Sequence, residues 1–122
     1  EERKNYYFDT EIAPSAINID FFEKINLLSP FGSGNPEPRF MIKNLKLVNS
    51  KIVGEKHIKS VLIGSDSTTI KAISFNSVET ELGPYLLKKN IKPFDIAGKL
   101  SLNEWRGQRN VEFIIDDISV KK

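Results

Sequence analysis

The chain has 122 residues, of which 39% are hydrophobic and 28% charged, with a formal net charge of +2 at pH 7. These values are typical of one soluble globular domain with a small core. No apolar run approaches the roughly 20 residues of a membrane span, no secretory signal pattern opens the chain, and the absence of cysteine excludes disulfides and thiolate metal sites. The composition favours a cytoplasmic protein, and the start at Glu1 rather than Met predicts a fragment of a longer one.

Charge is distributed unevenly along the chain. Residues 1–38 carry seven acidic and three basic side chains, whereas residues 39–59 carry six basic and one acidic. This division predicts a polarised surface. An ordinary solvated strand face bearing lysines explains it equally well, and the net charge is too small to indicate a nucleic-acid partner by itself.

The first part of the chain predicts an extended segment and a short helix. Residues 1–18 contain the aromatic cluster Tyr6–Phe8, which either packs on this domain or contacts a preceding one. Residues Asp20–Leu28 predict a helix, with Asp20 as its N-cap, Glu23 completing a capping box and Pro30 ending it.

A turn-rich loop, Ser29–Phe40, follows this helix and holds three prolines and two glycines. It is not a phosphate-binding loop, because no Lys-Ser/Thr pair follows and the next element is a strand. We interpret it as a rigid connector that Phe31 and Phe40 pin to the core, in preference to a loop that contacts a ligand directly.

From Phe40 onward, short runs rich in apolar residues, several of them alternating, predict five strands. The parity of the alternation slips between Ile42 and Leu45, which predicts a β-bulge in the first strand. Residues 77–90 predict a short helical connection or turns, broken by Gly83-Pro84. The predicted strands are residues 40–47, His57–Ile63, Thr68–Phe75, Phe94–Leu102 and Val111–Ile115, with a hairpin loop at Gly64–Ser67. This order is typical of an all-β, five-stranded OB-fold Greek-key barrel with a short helical connection between its third and fourth strands; the alternative is an SH3-like small barrel.

The residues offer no catalytic constellation. His57 is the only histidine, and Asp116-Asp117 lies on a strand where the two carboxylates are expected to point to opposite faces. We interpret this pair as strand-end charges. A free-standing enzyme is therefore not supported, and neither catalytic nor metal-binding residues are assigned.

Binding of single-stranded nucleic acid is better supported. The predicted hairpin tip Asn103–Asn110 holds the only tryptophan, Trp105, together with two arginines, and proteins that bind single strands combine aromatic stacking surfaces with cations for phosphate. Trp105 is either a stacking platform or a lid over the open end of the barrel. Phe75 is assigned to the core, and the sequence leaves open which barrel face carries the ligand. The candidate binding residues are Lys56, His57, Lys59, Lys71, Trp105, Arg106 and Arg109.

Four ordered motifs resemble the OB domain of RecJ, a family of bacterial single-stranded-DNA-specific exonucleases. They are PFGSGNPEPRF at residues 30–40, GEKHIK at 54–59, ISFN at 73–76, and LNEWRGQR at 102–109 running into IIDDI at 114–118. The motifs together span most of residues 20–120, which makes the resemblance more specific than any one of them.

The resemblance implies that residues 20–122 form an OB domain, with its leading helix and loop, and that residues 1–19 are the tail of a preceding DHHA1 domain. It implies a parent enzyme that is a metal-dependent 5′→3′ exonuclease of recombination and repair, with Mn²⁺ or Mg²⁺ held by DHH and DHHA1 domains outside this chain. This chain would then be inactive alone and need no cofactor. The implied partners are single-stranded DNA, the parent's own catalytic domains and a single-stranded-DNA-binding protein, with no membrane. The alternative role is a structural or partner-docking module that braces the catalytic domains without touching DNA.

Overall fold

A computed structural model describes residues 9–78, 83–87 and 92–120; the cluster Tyr6–Phe8 lies outside them. The elements in chain order are β1 (Asp9–Glu11), a 3-10 turn (Pro14–Ala16), α1 (Ile19–Asn26), β2 (Arg39–Val53), β3 (His57–Ile63), β4 (Thr69–Ser74), α2 (Gly83–Leu87), β5 (Phe94–Trp105) and β6 (Gln108–Val120). Neither α1 nor α2, the helices of the described ranges, has the length and hydropathy needed to cross a membrane.

Five strands form a nearly closed ring in the order β2-β3-β4-β6-β5, and β5 returns to β2. The long strand β2 makes this closure possible, because its first half pairs with β5 and its second half with β3. Its register with β5 shifts between Ile42 and Leu45, where Asn44 has a φ of 61°. The predicted bulge is therefore confirmed, and a bulge of this kind bends a strand at the corner of a small barrel.

The N-terminal strand β1 is an addition to this ring. It pairs in parallel with the start of β2, from Asp9–Arg39 to Glu11–Met41. Since β5 pairs with the same part of β2, β1 occupies the opposite edge of that strand. The predicted barrel strands one to five are thus β2 to β6.

The connections between strands differ in kind. No helix lies between β3 and β4, which are joined by the predicted turn at Gly64–Ser67, closed by a 2.9 Å bond from Gly64 N to Thr68 O. The predicted helical connection at residues 77–90 joins β4 to β5, and residues 79–82 and 88–90 of it lie outside the description. The described part contains the five-residue helix α2, which includes Gly83 and Pro84.

The core lies inside the ring and is formed by alternate strand residues. On β3, Ile58, Ser60 and Leu62 are buried, so His57, Lys59 and Val61 face outward. This parity identifies the outer face of β3. The largest fully buried side chains are Phe94 and Phe113, and Leu86 of α2 packs with them.

Gly98 lies at a register shift between β5 and β6, next to Ala97. A Cβ atom built on Gly98 would lie 1.8 Å from the carbonyl oxygen of Ile114 and 3.0 Å from Cε1 of Phe113. Only a residue without a side chain allows the two backbones to approach this closely.

The loop between α1 and β2 is held by its own hydrogen bonds. Gly32 and Asn35 exchange two backbone bonds of 2.9 and 3.0 Å, and the Asn35 side chain donates to the carbonyl of Leu28 at 2.6 Å. At its end, Phe40 is buried in the core, while Phe31 lines a small pocket against α1.

The segment before α1 is attached to the β3–β4 turn. The Asp66 carboxylate accepts a bond from Thr68 N at 2.9 Å and another from Ser15 N at 3.3 Å. These bonds, chiefly the one from the Thr68 backbone, lower the pKa of Asp66. The ionised carboxylate therefore helps to fix the 3-10 turn on the turn between strands.

The cap of α1 differs from the prediction. Asn18, not Asp20, is the N-cap, and its side-chain oxygen accepts from Phe21 N at 2.8 Å. Asp20 instead lies in the first turn and pairs with Lys24 at 3.4 Å. The helix ends at Asn26, before Pro30 is reached.

Replacing Asn18 with alanine is expected to lower the free energy of unfolding by about 1 kcal/mol, because the amide of Phe21 loses its acceptor. Urea denaturation followed by circular dichroism measures this change. Asn18→Asp keeps an acceptor and should retain most of the stability. Equal losses in both variants would contradict the assigned cap.

Candidate functional site

A polar groove of about 340 Å³ lies on the outer face of the ring, where β2, β3 and β4 meet the β5–β6 hairpin. Three lysines and three asparagines contribute to its lining: Lys51, Lys59, Lys71, Asn49, Asn103 and Asn110. The groove thus combines positive charge with amide groups that both donate and accept hydrogen bonds.

Strand pairing places the groove lysines close together. Lys51 lies directly opposite Lys59 in the β2–β3 pair, and Lys71 is opposite Val61 on the next strand. Like charges directly opposite each other destabilise a sheet, so this arrangement favours a role in binding an anion over a role in stability. Among the described residues, no ion pair engages Lys51 or Lys71.

One carboxylate lies in the same groove. The Glu112 side chain is 15% exposed, and its Oε2 is 4.0 Å from Nζ of Lys59. The groove therefore contains an acidic group beside its basic ones.

The hairpin tip is tighter than predicted. Strand pairing continues through Asn103–Asn110 to the pair Trp105–Gln108, so the predicted eight-residue polar connection is wrong. The turn consists of Arg106 and Gly107, with φ values of 51° and 78°. Positive φ at both central residues is typical of the type I′ turn, whose twist matches that of paired strands.

Trp105 is therefore the last residue of β5, and strand pairing defines the face of the hairpin on which its side chain lies. Antiparallel pairing puts it on the same face of the hairpin as Asn103 and Asn110, which line the groove. Its side chain is 65% exposed, and the Arg106 guanidinium lies 4.4 Å from the ring centroid. Such exposure argues against a lid packed over the barrel and leaves the ring accessible to a ligand.

Arg109 is directed away from the groove. It lies opposite Glu104, on the other face of the hairpin, and its Nη2 is 3.2 Å from Oε2 of Glu23 in α1. Of the two predicted tip arginines, the structure brings Arg106, but not Arg109, next to Trp105.

His57, the first residue of β3, forms an aromatic pair with Phe75. The ring centroids are 5.2 Å apart in an edge-on arrangement, and His57 Nδ1 accepts from Asn76 N at 2.9 Å. Phe75 is 51% exposed, so its assignment to the core is wrong: β4 ends at Ser74, and Phe75 starts the following turn. Lys56 lies beside this pair, where its carbonyl accepts bonds from Ser77 N and Val78 N.

Apart from Arg109, the structure places the predicted binding residues in three locations. Lys59 and Lys71 share the groove, Trp105 and Arg106 form the tip on its side, and Lys56 and His57 lie at the start of β3. Sequence reasoning missed Lys51, Glu112 and the exposed ring of Phe75. The position of Lys51 could have been predicted from the turn between β2 and β3, because pairing Val53 with His57 puts Lys51 opposite Lys59.

No group of three or more His, Cys, Asp or Glu side chains that could hold a metal occurs in the part of the chain that the structure describes. The predicted acidic pair has structural partners: Asp116 bonds with Arg39, and Asp117 accepts from Ile118 N at 2.9 Å. The carboxylates of Asp116 and Asp117 are engaged in these contacts, so they do not fit as ligands of the Mg²⁺ or Mn²⁺ that the resemblance implies for the parent enzyme.

Two bacterial RecJ proteins are similar to the chain in sequence. The RecJ exonuclease of Bacillus subtilis strain 168 is 29% identical over 111 residues, which cover 87% of the chain and 13% of that protein. The Escherichia coli K12 RecJ exonuclease is 30% identical over 112 residues, covering 90% and 18%. The chain therefore spans less than a fifth of the length of these relatives.

Solved structures agree with this similarity. RecJ of Thermus thermophilus, crystallised with Mg²⁺, superposes with a TM-score of 0.65 at 25% identity, and the match covers 93% of the chain and 16% of that protein. The yeast mitochondrial single-stranded-DNA-binding protein Rim1 superposes with a TM-score of 0.52 at 10% identity, covering 69% and 92%, which shows a shared fold. The RecJ OB-domain family model matches residues 8–117. The match spans nearly the whole chain, and the chain therefore belongs to the RecJ OB-domain family.

Proposed function

We propose that this chain is a single-stranded-DNA-binding OB domain of a RecJ-like 5′→3′ exonuclease that acts in DNA recombination and repair. The observation that carries the proposal is the lysine groove on the outer face of the ring, with the exposed ring of Trp105 on the same face of the hairpin. A cationic track flanked by aromatic rings is what single-stranded DNA requires of an OB fold.

Each group in this arrangement has a role in the proposal. Lys51 and Lys71 bind backbone phosphates, while Trp105 stacks on a base with Arg106 beside it. The Phe75–His57 pair offers a second stacking surface, and Lys56 lies beside it. The asparagines of the groove have amides that suit any base edge or sugar, so binding should show little sequence preference.

Hydrolysis in this proposal belongs to other domains of a longer protein, which would hold the Mn²⁺ or Mg²⁺. Its partners would be single-stranded DNA, the DHH and DHHA1 domains of the same chain and a single-stranded-DNA-binding protein. We place this activity in the cytoplasm. One OB unit with few cations should bind DNA weakly by itself.

A salt titration with charge-matched variants tests the proposal. The double variant Lys51→Gln/Lys71→Gln is expected to weaken binding of fluorescein-labelled oligo(dT), measured by anisotropy. Each lost phosphate contact should flatten the slope of log K against log[salt] by about 0.7. The control Lys24→Gln/Lys43→Gln removes the same charge from lysines that pair with Asp20 and Glu11, outside the groove.

The control should leave affinity nearly unchanged. Equal weakening by both double variants would mean that net charge alone acts, and the groove would lose its assignment.

The alternative function is a module that braces neighbouring domains. One observation favours it: Leu27 and Leu28 are 83% and 58% exposed at the end of α1, near a pocket lined by Phe22 and Phe31. Exposed apolar surface of this kind is typical of a docking site. If oligo(dT) fails to bind the wild-type chain even at low salt, the bracing function is favoured.

A further inference from the structure

The carboxylate of the groove occupies a position that opposes DNA binding. Glu112 Oε2 is 4.0 Å from Lys59 Nζ, and the Glu112 side chain is more buried than that of Lys59, at 15% against 40% exposure. The acid therefore forms part of the groove floor, while the lysine reaches toward it from the outer face of β3.

Strand register places this acid near a second lysine. Ala72 pairs with Phe113 in the parallel β4–β6 contact. Lys71 and Glu112 are the residues immediately before this pair, so they are neighbours across the two strands. A phosphate bound by Lys71 would thus lie close to the carboxylate, and two negative charges at that distance repel. Glutamine would fill the same volume without this repulsion, so the negative charge itself has a consequence for the ligand.

We propose that Glu112 sets the affinity of the groove by holding Lys59 away from the DNA phosphates. This inference rests on the proposed function. Glu112 neutralises one of the three groove lysines, which leaves Lys51 and Lys71 to bind the backbone. The groove then binds a single strand weakly, and weak binding suits a strand that must advance by one nucleotide after each bond is hydrolysed.

The first test is Glu112→Gln in the 122-residue chain. Affinity for labelled oligo(dT) at low salt should rise about threefold, the gain expected when an ion pair of a partly exposed lysine is released. The slope of log K against log[salt] should steepen by about 0.7, the value for one more phosphate contact. Glu104→Gln is the matched control, since it removes one charge from the opposite face of the same hairpin and should change neither quantity.

The second test is a double-mutant cycle with Lys59→Gln. In the wild-type background Lys59→Gln removes no phosphate contact, so the slope of log K against log[salt] should stay unchanged, whereas in the Glu112→Gln background it should cancel both the steeper slope and the gain of about threefold. If Glu112→Gln proves less stable and melts at a lower temperature, Lys59→Gln in the wild-type background still tests the proposal by itself.

The outcomes separate this inference from the proposed function. If wild-type chain binds and Lys51→Gln/Lys71→Gln weakens it, but Glu112→Gln leaves affinity unchanged, only the role of Glu112 is overturned. A loss of affinity in Glu112→Gln would also overturn it, because the carboxylate would then accept hydrogen bonds from bases. If the wild-type chain binds no DNA, the proposed function and this inference fail together.

Discussion

Replacing Gly98 with alanine is expected to destabilise the domain by about 3 kcal/mol or more, because an added methyl group has no space without backbone movement. The new Cβ would lie 1.8 Å from the Ile114 carbonyl oxygen, which is backbone and cannot rotate away. Relief would require β5 and β6 to separate at the register shift beside Ala97. Urea denaturation followed by far-UV circular dichroism measures the loss.

Gly34→Ala is the matched control for this substitution. A Cβ on Gly34 meets no atom within 4 Å, and the residue lies in the exposed loop before β2. Its stability should stay within about 0.5 kcal/mol of wild type. Similar stabilities for the two variants would show that the strands do not approach each other as closely as described.

Replacing Trp105 with alanine is expected to produce the largest loss of DNA affinity among single substitutions. Stacking of one base on an aromatic ring contributes about 1–3 kcal/mol, so affinity for oligo(dT) should fall by roughly 5-fold to 150-fold. Stability should change little, since the side chain is 65% exposed. Anisotropy titration and thermal melting of the same samples separate the two effects.

Two further variants control for the loss of exposed apolar surface. Trp105→Phe keeps a ring and should retain part of the affinity. Leu27→Ala removes a side chain that is even more exposed, at 83%, and lies away from the groove. Unchanged affinity in Trp105→Ala would remove the tip from the binding surface and favour the bracing function.

Regular alternation allowed much of the ring to be predicted. The start of β5 at Phe94 follows from apolar residues at every second position, apart from Gly98, and the slip between Ile42 and Leu45 located the bulge of β2. Both signals are local, because side chains on a strand alternate whatever the strand pairs with. The resemblance to the RecJ OB domain is likewise confirmed by the family match.

Features that depend on contacts between elements were harder to predict. Asp20 and Asn18 are both good capping residues. Asn18 is the cap because the helix begins at Ile19, directly after it. Phe75 was assigned to the core as a large apolar residue, but it has the parity of the exposed Lys71 and follows the end of β4 at Ser74, so its ring is exposed. The ion pair of Glu112 with Lys59 joins β6 to β3, and no local pattern indicates which lysine an acid will reach.

The two-residue turn at Arg106-Gly107 has a consequence for the thermodynamics of binding. Because the backbone on both sides of the turn is hydrogen-bonded up to Trp105 and Gln108, the tip is ordered before any ligand arrives. A ligand that stacks on Trp105 therefore restricts mainly two side-chain torsions, and the conformational entropy of a loop need not be lost. Most of the favourable stacking free energy of the ring is then available as affinity.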